Sequence, residues 1–230
     1  MSMQTDRIVG TAVPRKEGRD KVTGQAKYID DLSLPGMLYG ATVRSRIPRG
    51  KITNITFGAG IPWDEFVIVS AKDIPGQNCV ALIVDDQPCL ADGVVNHPEE
   101  PILLLAHGNR HLLPKAVAAV SVEYDPLPAI FTIEESESCA EIICGKNNIF
   151  KTYLVEKGDL DSVWAKADYV VEGEYTTGAQ EQLYIENNGV IASFDPEQGI
   201  TLWGSLQCPY YVHRALRQLC ALSEDKVRVV

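Results

Sequence analysis

Apolar residues in this chain recur mostly at every second position, in short runs that Gly, Pro, Asn and Asp interrupt. Such runs suit strands, whose side chains point alternately to two faces. Residues 36–45 set Leu38, Gly40, Thr42 and Arg44 against Tyr39, Ala41 and Val43, and residues 51–57 alternate around Ile52, Ile55 and Phe57. Residues 66–70 and 80–84 are continuous, short and β-branched, which predicts buried strands. Turn chemistry, Ala71-Lys-Asp-Ile-Pro-Gly76, lies between them, and residues 25–30 and 121–124 read as further short strands. Helix signals are few. Pro114 suits the first turn of a helix running through Val120, and Asp159 or Asp161 can cap a short helix through Ala167. From Cys208 the period changes to 3.6, with Val212, Ala215, Leu216, Leu219 and Cys220 on one face and Pro209 in the first turn. Many strands with few interleaved helices predict an α+β fold.

Residues 169–175 alternate as a strand, as do 185–194 and 199–204. The intervening Asp195-Pro-Glu-Gln-Gly199 makes the latter two a hairpin. Residues 9–24, rich in Gly, Pro, Lys and Arg, show no periodicity and read as an extended arm, while 134–150 lack periodicity and read as a linker. The expected division is an arm at 1–18, a first domain at 19–135, a linker at 136–154 and the start of a second domain at 155–230. No internal repeat is visible.

Charge and composition exclude several functions. A net charge of -10 with scattered basic residues argues against nucleic acid, whose phosphates demand clustered Lys and Arg. The longest apolar runs, such as Ile102-Leu-Leu-Leu-Ala106, fall far short of the roughly 20 residues that span a bilayer. The N-terminal Met1-Ser-Met-Gln-Thr-Asp-Arg7 carries an acid early and no apolar stretch, so it is not a secretory signal, and a soluble, cytoplasmic protein is expected. Six cysteines (Cys79, Cys89, Cys139, Cys144, Cys208 and Cys220) have no spacing that suits a zinc or iron–sulfur site and read as reduced thiols. His107 and His111 sit in a Gly-containing turn, with solvated or capping roles.

One position stands out. Gln207 falls where a strand hands over to a helix N-terminus, and its amide offers two N–H donors and one acceptor, suited to a neutral hydrogen bond with an oxo group or anion. A lone polar residue at such a turn is more often a surface or capping residue. Glu181 and Glu186, five residues apart on an expected strand, would point to opposite faces and not form a carboxylate pair. Tyr210 and Tyr211 beside Trp203 would line an aromatic pocket or serve as a hydrophobic anchor.

Five ordered motifs add a resemblance. Lys21-Val-Thr-Gly-Gln-Ala-Lys-Tyr-Ile-Asp-Asp31, Leu34-Pro-Gly-Met-Leu-Tyr-Gly-Ala-Thr-Val-Arg-Ser45, Ser70-Ala-Lys-Asp-Ile-Pro-Gly76, Val122-Glu-Tyr-Asp-Pro-Leu-Pro-Ala129 and Gly178-Ala-Gln-Glu-Gln-Leu-Tyr-Ile-Glu186 resemble segments of the molybdenum hydroxylases, the xanthine dehydrogenase and aldehyde oxidase family. The resemblance implies an N-terminal α/β hammerhead domain followed by the beginning of a molybdenum-cofactor-binding domain. It also implies oxidative hydroxylation, with water as the oxygen source, of a purine or related N-heterocycle, the alternatives being an aldehyde-oxidising subunit or a non-catalytic assembly module. Gln207 matches the glutamine near the molybdenum oxo ligand, a cofactor-facing residue and not a direct metal ligand, and Glu186 matches a glutamate that supports the site. No catalytic residue is expected within these 230 residues, because the pterin loops and the catalytic glutamate of such proteins lie further on. The molybdenum–pterin cofactor would be shared with the remainder of the molybdenum subunit, and iron–sulfur and FAD groups would sit on partner subunits. Two departures stand out: Gln182 replaces a common histidine, and Glu99 replaces a glycine before Glu100-Pro101.

Overall fold

The computed structural model describes residues 9–80 and 85–230. In chain order the elements are α1 (Gly18–Val22), β1 (Tyr39–Arg44), β2 (Gly50–Phe57), β3 (Val67–Val69), β4 (Val94–Val95), β5 (Pro101–His107), α2 (Leu113–Ala119), β6 (Val120–Pro126), α3 (Ile133–Glu137), α4 (Leu160–Trp164), β7 (Gly189–Asp195), β8 (Gly199–Ser205), α5 (Pro209–Cys220) and β9 (Val227–Val229). They form three small sheets, ordered β1-β5-β3, β4-β2-β6 and β7-β8-β9, and only the β8–β9 pair is parallel. The mixed α+β architecture is as expected. No helix among the described residues is long and apolar enough to cross a membrane.

The first two sheets and α2 share one core. Val43 of β1, Leu103 and Leu105 of β5, Val95 of β4, Val120 of β6, and Leu113 and Ala116 of α2 are all buried within it. β5 holds the centre of its sheet: Leu105 lies opposite Ala41 on one side and Ile68 on the other, with no exposure to solvent. Its unbroken apolar run hides the period of two, which is why residues 101–107 escape a strand assignment from sequence. Every residue of this core cluster lies between Val43 and Val120, and beyond Val120 only Leu202 and Val227 are buried apolar residues among those described.

Several expectations need correction. Residues 25–30 are not a strand, because the Asp31 carboxylate accepts the Tyr28 N–H at 3.0 Å and closes a helical turn over Ile29–Asp31. The arm contains a helical turn, α1, at Gly18–Val22. β3 is half-buried rather than buried on both faces: Phe66 is enclosed but Val67 is 50% exposed, because β3 is an edge strand paired to β5 alone. The strand expected at 80–84 falls largely on residues 81–84, outside the described residues. Running into the expected linker, Thr132 accepts the Glu135 N–H at 3.1 Å while the Glu135 carboxylate accepts the Thr132 N–H, starting α3 with a reciprocal cap. Asp159, not Asp161, caps α4, taking the Ser162 N–H at 3.1 Å. Residues 169–175 have the alternation of a strand but no strand partner among the described residues.

Glu99 has a φ of 64°, in the left-handed region that favours glycine. It is held there because its N–H donates to the Ser45 carbonyl at 2.9 Å and its carbonyl accepts from Arg44 Nη1 at 2.8 Å. The next side chain, Glu100, is buried and accepts the Asn96 N–H. Glu99→Gly is therefore expected to raise stability by about 0.5–1 kcal/mol, read as a higher urea midpoint at unchanged m-value.

Two seams join the regions before and after the linker. Gly76 and Gln77 donate their N–H groups to the carbonyls of Leu219 and Gln218 at the end of α5, at 2.8 and 2.9 Å. The Ile29 N–H donates to Glu186 Oε1 at 3.4 Å.

Candidate functional site

β7 and β8 form the expected hairpin, turned by Asp195, whose carboxylate accepts the Glu197 and Gln198 N–H groups at 2.8 Å. β8 ends at Ser205, and Leu206, Gln207 and Cys208 carry the chain over to Pro209 at the start of α5. Cys208 makes the corner with a left-handed backbone, φ 52° and ψ 61°, and its carbonyl accepts the Tyr211 N–H at 2.9 Å. Pro209 follows, its fixed φ matched to a first helical turn. This corner leaves the Gln207 amide exposed on the wall of an open cavity of about 680 Å³.

The opposite wall comes from an extended segment. Gln180, Glu181, Gln182, Tyr184, Glu186 and Asn188 line it, facing Ser205, Leu206 and Gln207. Asn188 Nδ2 donates to the Tyr184 hydroxyl at 2.7 Å, and the Glu181 carboxylate accepts the Gln182 N–H at 3.0 Å. Glu186, half-buried, is fixed by the Ile29 N–H. Placing Glu181 and Glu186 on opposite faces of a strand was wrong: the segment is irregular, the period of two does not apply, and both carboxylates border one cavity. Glu186 likewise sits in a bend before β7 and not on a strand. The contribution of residues 180–182 was missed in the sequence, although the amide-rich string Gln180-Glu-Gln182 was the available signal.

Neutral amides and carboxylates make up the walls, with no Lys, Arg or His among the lining residues. Among the described residues no group of three or more His, Cys, Asp or Glu could hold a metal ion. All six cysteines are free thiols. Burial pushes the Cys79, Cys89 and Cys220 thiols above their usual range, so they stay protonated at neutral pH and make poor ligands. The lining thus offers hydrogen-bond donors and acceptors rather than a ligand cluster, and the Gln207 amide is free to meet an acceptor in the cavity.

The remaining candidates lie elsewhere. Tyr210 is 87% exposed and Tyr211 is exposed beneath the Arg214 guanidinium at 5.8 Å; neither they nor Trp203 line the cavity, because the first turn of α5 faces outward. His107 stacks on Phe66 with ring centroids 4.6 Å apart and accepts the Asn109 N–H at 2.9 Å, a role in closing the turn after β5.

Residues 23–128 match the family model described as aldehyde oxidase and xanthine dehydrogenase, a/b hammerhead domain, and residues 144–230 match that of the molybdopterin cofactor-binding domain. The chain belongs to the aldehyde oxidase and xanthine dehydrogenase family. It is 31% identical over 225 residues to the nicotinate dehydrogenase large molybdopterin subunit of Eubacterium barkeri, covering 97% of this chain and 53% of that one. It is 30% identical to a probable xanthine dehydrogenase subunit of Bacillus subtilis (strain 168), covering 94% of this chain and 29% of the relative. The aldehyde oxidoreductase from Desulfovibrio gigas shares the fold, with a TM-score of 0.83 at 23% identity over all of this chain and 27% of its own. The chain thus spans about half, or less, of the length of these family members. Its order of domains, hammerhead first and cofactor-binding second, is the one expected from the motifs.

Proposed function

We propose that this chain supplies the hammerhead scaffold and one wall of the cofactor site of a molybdenum hydroxylase that oxidises an N-heterocycle such as a purine. The observation that carries the reading is the placement of Gln207: an exposed amide on a strand-to-helix corner, facing a cavity whose walls offer hydrogen bonds but no metal-ligating cluster. When bound, a molybdenum–pterin cofactor supplies the two-electron oxidation by which oxygen from water enters a carbon beside nitrogen, with the electrons leaving toward iron–sulfur and FAD groups on partner subunits. Gln207 contributes a neutral donor that does not titrate, so it holds an oxo-type acceptor without adding charge near the reacting carbon. Glu186 works as a positioning residue, tying the cavity wall to the hammerhead domain through the Ile29 N–H. N-heterocycles are favoured because the names of the relatives include nicotinate dehydrogenase, xanthine dehydrogenase and nicotine 6-hydroxylase.

The test is co-expression of this chain with a polypeptide supplying the remainder of a molybdenum subunit and with the iron–sulfur and flavin subunits. The complex should contain stoichiometric molybdenum and hydroxylate xanthine or nicotinate with ¹⁸O taken from labelled water, whereas the 230-residue chain alone should contain no molybdenum. Gln207→Ala should lower kcat roughly 10- to 100-fold with molybdenum content retained, the loss typical of one donor aimed at a reacting centre. Stoichiometric molybdenum in the isolated chain, or an unchanged kcat for Gln207→Ala, would sink the proposal.

A further inference from the structure

Two cysteines from distant parts of the chain meet at the seam between the hammerhead domain and the end of α5. On one side, the Leu219 and Gln218 carbonyls accept the Gly76 and Gln77 N–H groups, and Cys220 is the next residue and the last of α5. On the other, the Asn78 side chain accepts the Cys89 and Leu90 N–H groups at 3.0 and 3.1 Å and donates to the Leu90 carbonyl at 2.7 Å. Asn78 follows Gln77, so each cysteine is one step removed from a residue that bonds across the seam. Both are half-buried thiols. Burial raises the Cys89 thiol above its usual range and the charge of the Cys220 sulfur raises it further, an influence that fades with distance and so marks the two as neighbours. Cys79, nearby in sequence, is enclosed and faces Asp85, Asp86 and Arg214 instead.

We propose that Cys89 and Cys220 form a reversible disulfide that locks the hammerhead domain onto the end of α5 under oxidising conditions. The oxidant is a small-molecule disulfide such as oxidised glutathione. The thiolate of one cysteine attacks a glutathione sulfur, forming a mixed disulfide and releasing one glutathione, which takes up a proton. The second cysteine then attacks the protein sulfur of that mixed disulfide, forming the Cys89–Cys220 bond and expelling the second glutathione. Two protein thiols are oxidised, one disulfide is reduced to two thiols, and both protons end on glutathione. Because the two thiols are held protonated at neutral pH, the exchange is slow and answers to sustained oxidation. The bond closes a long loop, which restricts the unfolded chain, and it pins the far end of the helix that starts at the Gln207 corner. It stands independently of the function proposed above.

The test is to equilibrate the folded full chain with oxidised glutathione, block free thiols with iodoacetamide and digest without reductant. Mass spectrometry should find the Cys89 peptide joined to the Cys220 peptide, and dithiothreitol should separate them. The oxidised chain should have a higher urea midpoint, and amides in the last turn of α5 should exchange at least about tenfold more slowly. Cys89→Ala and Cys220→Ser should each abolish both changes, while the exposed Cys139 and Cys208 still take up glutathione. Cys89 and Cys220 left unlinked, whether free or carrying glutathione, would overturn the inference, as would a link from either of them to Cys79. A Cys89–Cys220 link that forms equally in the urea-unfolded chain, or that leaves the urea midpoint unchanged, would also overturn it.

Discussion

Leu105→Ala is expected to lower the unfolding free energy by about 2–5 kcal/mol, enough to leave a protein of ordinary stability largely unfolded at modest urea. Leu105 is completely buried at the centre of β5, between Ala41 and Ile68 on the flanking strands. Truncation removes its contacts and leaves a void that paired strands on both sides cannot collapse into. Leu104, one residue away, is 41% exposed on the opposite face, so Leu104→Ala should cost well under about 1 kcal/mol. Urea titration of the two variants reads the difference directly. Equal losses would mean that the face assignment of β5 is wrong.

Gly76→Ala is the second large effect, and it reports on the seam between the two domains. A Cβ at Gly76 would lie 2.0 Å from the Gln218 carbonyl oxygen and 2.9 Å from both the Ala221 nitrogen and the Leu219 oxygen, all backbone atoms that cannot swing aside. The loop must withdraw from the end of α5, losing the hydrogen bonds from Gly76 to Leu219 and from Gln77 to Gln218. Two such bonds together with the repacking amount to a loss of about 2–3 kcal/mol. The control is Gly40→Ala, where an added Cβ meets no atom within 4 Å, and its effect should stay within about 0.5 kcal/mol of zero. Circular dichroism during urea titration, with exchange rates at α5, would show whether the Gly76 variant frees the helix. A Gly76→Ala protein as stable as its parent would remove this seam from the structure.

Elements whose signal is local were legible in the residues. β1, β2, β6, α2, the β7–β8 hairpin and α5 each announce themselves through a period of two or 3.6, a first-turn proline or an Asp-containing turn. β5 and β9 were not legible, for different reasons. β5 is apolar at consecutive positions because it sits in the middle of a sheet, and β9 is three residues long, defined by parallel pairing with β8 across more than twenty residues of chain. Residues 169–175 failed the other way, with the correct alternation and no strand partner among the described residues. The site divides similarly: the corner at Gln207 could be read from a strand ending before Pro209, while the convergence of Gln180 to Gln182, Glu181 and Glu186 on the facing wall could not.

By itself, the sequence determined the local geometry, the α+β class and the family motifs, because hydrophobic period, capping residues and turn chemistry act over a few positions along the chain. Only the tertiary structure decided which strands pair, where the core stops, and which carboxylates share a cavity, because those depend on contacts between residues far apart in the chain. Among the described residues, the confinement of the main core cluster to positions before 121 is the consequence that no local pattern could show.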